Sequence, residues 1–228
     1  MRMVAEHTEV IRPPKQALAT FGTTVLSYFV LTEPSYADLP GAGDTRETVI
    51  RTGKVTAQRP QIVTPLYLFN LFSGFEHGQA YASYLRQKLG ADAPGLLYSY
   101  RNEPKDTNIV SDALEVVAGR IADDLNRTDE RLAAIIRGVD HLWDISLMRF
   151  IYELTASSVS TNVSDLHRQG MLEQDRGVPR ATRARIEEMF AAVKRNDLDP
   201  TDLRHELERW GLWDEYQDRF LDLFRRRQ

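Results

Sequence analysis

The chain has 228 residues, of which 42% are hydrophobic and 27% charged, and a formal net charge of -4. That is ordinary globular composition, long enough for one large domain or a domain with an appended subdomain, and it argues against a disordered chain. Cysteine is absent, which excludes disulfides, thiolate metal sites and cysteine nucleophiles, and the negative balance gives nucleic acid or anionic membrane no long-range attraction.

After Pro13 and Pro14, the β-branched and aromatic run Thr23 to Leu31 reads as an interior strand, stopped by Pro34. The stretch Arg12 to Ala37 resembles a secretion signal in outline. Thr20, Thr23, Thr24 and Ser27 interrupt its apolar run in the alternation of a strand, so the expectation is a cytoplasmic protein. A loop follows over Ser35 to Thr45, broken by Pro40, Gly41 and Gly43. Glu47 to Arg51 and Val55 to Gln58 flank Thr52-Gly53-Lys54 as a hairpin with the glycine in its turn. Gln61 to Thr64 is extended. Pro65 opens a helix to Phe72, Ser73-Gly74 breaks it, and a second helix covers Glu76 to Leu89 with Gly90 as its cap. Leu96 to Arg101 is a further strand, ended by Pro104.

From there the pattern turns helical. Ser111 or Asp112 caps a helix with the face Val110, Leu114, Val117, Ile121 and Leu125. The organising element is a core helix over about 129–157, whose stripe is Leu132, Ile136, Val139, Trp143, Leu147, Phe150 and Leu154. A second set, Ile135, Leu142, Ile145, Met148, Ile151 and Tyr152, covers much of its remaining circumference, so it should meet protein on more than one side. Asp140, Asp144, Arg149 and Glu153 interrupt it too often for a membrane span. Arg149 and Glu153, four apart, suit a buried ion pair. Helices follow at Asn162 to Gln169, Ala181 to Lys194, Pro200 to Trp210 and Asp214 to Arg225.

The fold class expected is α+β: a small N-terminal sheet with two helices, followed by a mainly helical half around the 129–157 helix. Residues 1–172 form the first domain. Residues 179–228 form a three-helix subdomain whose amphipathic faces could close on one another or make a homodimer.

The sharpest local pattern is Val159-Ser160-Thr161-Asn162-Val163-Ser164-Asp165-Leu166-His167-Arg168-Gln169-Gly170-Met171-Leu172. It resembles the recognition helix of bacterial winged helix-turn-helix regulators, with the preceding turn around Thr155 to Ser158. The resemblance implies DNA binding, with Ser160, Thr161, Asn162, Ser164 and His167 toward base edges and phosphates, and Arg168 toward phosphate.

A second candidate pairs the strand endings at Glu33 and Glu103. If those strands are parallel neighbours, two carboxylates meet at one sheet edge as acid and base or as ligands of a divalent cation, with Tyr36, Tyr98, Tyr100 and Arg101 lining a pocket. Asp140-His141-xx-Asp144 sets three oxygen and nitrogen groups on one side of the core helix, too few for a metal site, and no metal or cofactor is expected. Phosphate-binding glycine loops, dinucleotide fingerprints and the Gly-x-Ser-x-Gly elbow are missing from the sequence. The leading expectation is a non-enzymatic regulatory or interaction protein, most concretely DNA-binding through 159–172, with no membrane partner. The alternative is an enzyme acting on a small polar substrate through Glu33 and Glu103.

Overall fold

Side chains of the first long strand alternate between two cores, and that alternation sets the layering of the N-terminal half. The computed structural model describes residues 7–35, 46–71, 77–90 and 93–225. Its strands are β1 (Glu9–Arg12), β2 (Thr24–Thr32), β3 (Thr48–Ala57), β4 (Gln61–Val63), β5 (Gly95–Leu97), β6 (Tyr100–Val110), β7 (Ala133–Arg137), β8 (Gln174–Asp175) and β9 (Val178–Pro179). The helices are α1 (Pro65–Leu71), α2 (Gly78–Leu89), α3 (Leu114–Arg127), α4 (Trp143–Arg168), α5 (Arg180–Arg195), α6 (Pro200–Arg209) and α7 (Trp213–Arg225), and a 3-10 turn at Asp140–Leu142 leads into α4. The molecule is therefore α+β. No described helix is long and apolar enough to cross a membrane.

Two compact units are present, residues 1–60 with 98–163 and residues 61–97 with 164–228. In the first, a five-stranded sheet has the order β1-β7-β2-β3-β6, with β2 and β7 parallel and the other pairs antiparallel. Leu26, Tyr28 and Val30 of β2 point to the face shared with Leu147 and Phe150 of α4. Leu31 points to the opposite face, where Leu114, Val117 and Leu125 of α3 cover it. The period of two along β2 thus feeds one core on each side of the sheet. Burying each of these large apolar side chains contributes roughly 1.5–3 kcal/mol.

The second unit groups the C-terminal helices with the segment 61–97. Val63 and Tyr67 enter one core with Ile186, Phe190, Leu203, Leu207, Trp210 and Phe220. Tyr67 Oη donates to the buried Glu206 carboxylate at 3.2 Å, and Asn70 Nδ2 donates to the Arg209 carbonyl at 2.8 Å. Asp199 caps α6 as its sequence suggests, accepting from the Thr201 N–H at 2.7 Å with Pro200 in the first turn.

Four local expectations are corrected. The core helix does not begin at residue 129: Ala133, Ala134, Ile135 and Ile136 are all fully buried and form β7, inside the sheet. Leu132, Ile136 and Val139 fit a helical period, but a short apolar run is also what a strand buried on both faces looks like, and here sheet pairing decides. The Thr52-Gly53-Lys54 turn does not exist either, because β3 runs unbroken between β2 and β6. Gly53 is needed for another reason: a Cβ there would collide with the Tyr28 ring and stand 2.7 Å from the Glu103 carbonyl, at a bulge between Thr52 and Gly53.

Pro104 does not end its strand, since β6 continues to Val110 as a sheet edge where a missing N–H is tolerated. The cap of α3 is Ala113 without a side-chain bond, because the Asp112 carboxylate pairs with Arg120 at 2.6 Å. Most of the Ser35 to Thr45 loop, Tyr36 included, and the Ser73-Gly74 break lie outside the described residues.

Candidate functional site

The carboxyl ends of the parallel pair β2 and β7 carry a polar cluster, at the kind of edge where open sheets commonly bind ligands. Asp140 follows β7 there. Its Oδ1 accepts from Arg51 Nη2 and from Thr32 Oγ1, both at 2.8 Å, and its Oδ2 accepts from the Ser35 N–H at 3.1 Å. Arg51 also donates to Thr32 Oγ1 at 2.9 Å and stands 5.8 Å from the Trp143 ring centre. Burial alone would raise the Asp140 carboxyl. Hydrogen bonds from Arg51, Thr32 and Ser35, together with the Arg51 charge, outweigh it and hold the pKa below the ordinary 3.8. A carboxylate engaged on both oxygens fastens β2, β3 and the approach to α4, and it is badly placed to accept a substrate proton. His141 and Asp144 are exposed, with Asp144 Oδ1 accepting the Ile145 N–H at 2.9 Å. Among the described residues no group of three acidic or histidine side chains is close enough to hold a metal ion.

Glu33 and Glu103 are not brought together. Their strands run in the same direction, but β3 lies between them, and Lys54 of β3 faces both Ser27 and Glu103. Glu33 therefore stands six residues further along than the level of Glu103, about 20 Å at roughly 3.3 Å per residue. That is far beyond the ~10 Å at which a carboxylate pair can share a water. Glu33 is 3.6 Å from Arg137, and Glu103 pairs with Arg101 on the exposed edge strand.

Tyr98 and Tyr100 turn inward against α4 instead of lining an open pocket with Arg101. Tyr98 Oη donates to Asn162 Oδ1 at 2.6 Å, and the Tyr100 and Thr155 hydroxyls are in hydrogen-bond contact. Burial, with a smaller contribution from Tyr100, pushes the Tyr98 phenol up to about 12.

The helix-turn-helix-like segment has a different geometry from the expected one. Residues 143–168 form one uninterrupted helix, with no turn at Thr155 to Ser158. The hydroxyls of Thr155 and Ser158 donate to carbonyls four residues back at 2.6 and 2.7 Å, and Ser157 donates three residues back at 2.9 Å. These polar side chains are thereby satisfied within the helix rather than breaking it.

Asn162 is fully buried. Its Nδ2 donates to the Leu18 carbonyl at 2.9 Å and to Thr20 Oγ1 at 2.8 Å, while Ser158 Oγ accepts the Leu18 N–H at 3.1 Å. Asn162 thus fastens the N-terminal segment to α4. Ser160, Thr161, Ser164, His167 and Arg168 are exposed, and Arg168 is paired with Asp165. Past Gly170, the two-residue strands β8 and β9 form a small hairpin.

Among the described residues, the outer face of α4 is left exposed. Met148, Tyr152, Val159 and Val163 are 53%, 74%, 38% and 39% exposed, and Ala156 is exposed between them. Their spacing of four, four, three and four makes one stripe, about 22 Å long at 1.5 Å per residue. Met148 and Tyr152 belong to the second apolar set of the sequence, whereas Val159 and Val163 fall within the pattern that resembles a recognition helix. The unbroken helix through residue 163 is what aligns the four. Arg149 and Glu153 do pair, at 2.9 Å, though at the surface rather than buried.

On fold and site, then, the chain is an α+β protein with an apolar helix face turned outward. No family model, curated protein or solved structure matches it.

Proposed function

We propose that the chain is a non-enzymatic interaction protein of the cytoplasm that pairs with a second copy of itself through the outer face of α4. The observation that carries this reading is the exposed stripe Met148, Tyr152, Ala156, Val159 and Val163, since large side chains in a row on a surface mark contact sites. The stripe is self-complementary. Bulky residues occupy its first half and β-branched valines its second, so an antiparallel copy sets Met148 against Val163 and Tyr152 against Val159, with Ala156 near the two-fold axis allowing close approach. Antiparallel helix dipoles favour the same arrangement.

One stripe of this length falls short of the ~800 Å² per partner of a stable complex, so the association is weak and concentration-dependent. The C-terminal helices offer a shorter apolar row for a homodimer, Leu221 and Phe224 of α7, 49% and 43% exposed. Phe190, Trp210 and Phe220 are buried in their own unit, and Trp213 packs edge-on against Phe220 at 5.3 Å.

DNA binding through Ser160, Thr161, Ser164, His167 and Arg168 ranks second: the side chains are exposed, but Asn162 is engaged inside and Arg168 is paired. The enzyme alternative has no converging pair in Glu33 and Glu103 to work with.

Sedimentation velocity over a wide concentration range tests the proposal. The native chain is expected to shift toward a dimer as concentration rises, and Tyr152→Ser to remain monomeric with stability changed by less than about 0.5 kcal/mol, as for an exposed position. A native chain that stays monomeric throughout overturns it, as does a dimer that Tyr152→Ser leaves intact.

A further inference from the structure

On a different side of α4, a cleft of about 310 Å³ opens in the first unit, between the helix and the N-terminal segment; its lining includes Val10, Pro14, Lys15, Phe150, Glu153 and Leu154. Its floor is apolar: Phe150 is buried, and Val10, Pro14 and Leu154 are partly buried. The wall opposite the helix is fixed before any ligand arrives. Pro13 and Pro14 restrict the backbone, the Lys15 N–H donates to the Arg131 carbonyl at 2.8 Å, and Leu18 is held at both its N–H and its carbonyl by Ser158 and Asn162. A pre-formed cleft loses little entropy on filling.

The rim charges are unequal in their partners. Glu153 accepts from Arg149 Nε at 2.9 Å and is neutralised there. Among the described residues the Lys15 ammonium pairs with Asp129, 3.7 Å away and 77% exposed, where water screens it. The cleft therefore presents an apolar floor and, on its rim, a cation whose partner is screened beside a carboxylate already paired with Arg149.

We infer that this cleft binds a small amphiphilic monocarboxylate, its apolar body on Phe150 and Leu154 and its carboxylate on the Lys15 ammonium. The volume corresponds to about ten water volumes at roughly 30 Å³ each, hence to a ligand of about ten non-hydrogen atoms. It lies at the small end of the ~300–1,000 Å³ usual for ligand sites.

Octanoate, its amide and octylamine are suitable probes for titration calorimetry on the full chain, with heteronuclear NMR locating the contact. Saturable octanoate binding is expected, with shifts in residues 10–17 and 150–157. Affinity should fall about tenfold for octanamide and for Lys15→Met, and binding should be lost in Leu154→Trp, which fills the cleft. Thermal melts establish that each variant is folded. Lys15→Met, at an exposed position, keeps the test decisive should Leu154→Trp fail to fold. No saturable binding by octanoate, equal binding of the amide, or preferential binding of octylamine overturns the inference.

Discussion

The two faces of α4 share one helix and much the same apolar content, yet they stand in opposite situations. Leu147, Phe150, Ser158 and Asn162 face inward and are buried, whereas Met148, Tyr152, Val159 and Val163 face outward and are not. The inner face has a sheet to meet and a chain segment to fasten. Among the described residues of its own unit, nothing buries the outer face. An amphipathic helix normally turns polar residues to water, so apolar residues on both sides point to two packing partners. Among the described residues of the first unit, only the inner face has one.

The inner face is where substitution should cost most. Phe150→Ala removes a buried ring from the core that α4 shares with one face of β2 and β7, and a loss of about 3–5 kcal/mol in denaturant unfolding is expected. A loss below ~1 kcal/mol would mean that the inner face is no better packed than the outer one, and the contrast would collapse.

Asn162→Ala sharpens the comparison, because the same residue has two competing roles. As a buried fastener it leaves the Tyr98 hydroxyl and the Leu18 carbonyl without their partner, with an expected loss of about 1–3 kcal/mol. As a base reader it would leave stability unchanged and weaken binding to a random duplex, measured by fluorescence anisotropy at two salt concentrations.

The smallest of these effects lies at the strand ends that lead into α4. The Asp140 pKa is lowered in the folded chain, so its contribution is present above the unfolded value, near pH 4, and is lost as pH falls through the lower folded value. Asp140→Asn should lower the melting temperature at pH 7 and flatten its fall below pH 4. An unchanged acid limb would show that the cluster with Arg51 and Thr32 does not hold the strand ends.

Much of the secondary structure is legible residue by residue. Thr24–Thr32 is announced by its β-branched and aromatic run, α1 by Pro65, and α6 by Asp199-Pro200 at its start, since these depend on neighbours in sequence. Pairing across the sheet is not local. Gly53 reads as a turn until Tyr28 and the Glu103 carbonyl are seen to close around it. Glu33 and Glu103 end similar-looking strand motifs, and only the register through Lys54 shows how far apart they stand. Asn162 looks like a surface reader because its partners, Leu18, Thr20 and Tyr98, are distant in the chain.

By itself the sequence determined the α+β class, the absence of thiol chemistry, the apolar content of α4 on more than one side, and the caps and breakers that bound several elements. Those properties follow from residue type and short-range period. The tertiary structure decided that Ala133–Arg137 is a strand inside the sheet, that Thr155 to Ser158 stay helical, that residues 61–97 join the C-terminal helices, and which face of α4 is left open. Each of these turns on long-range burial and hydrogen bonding, which select among local conformations of similar energy.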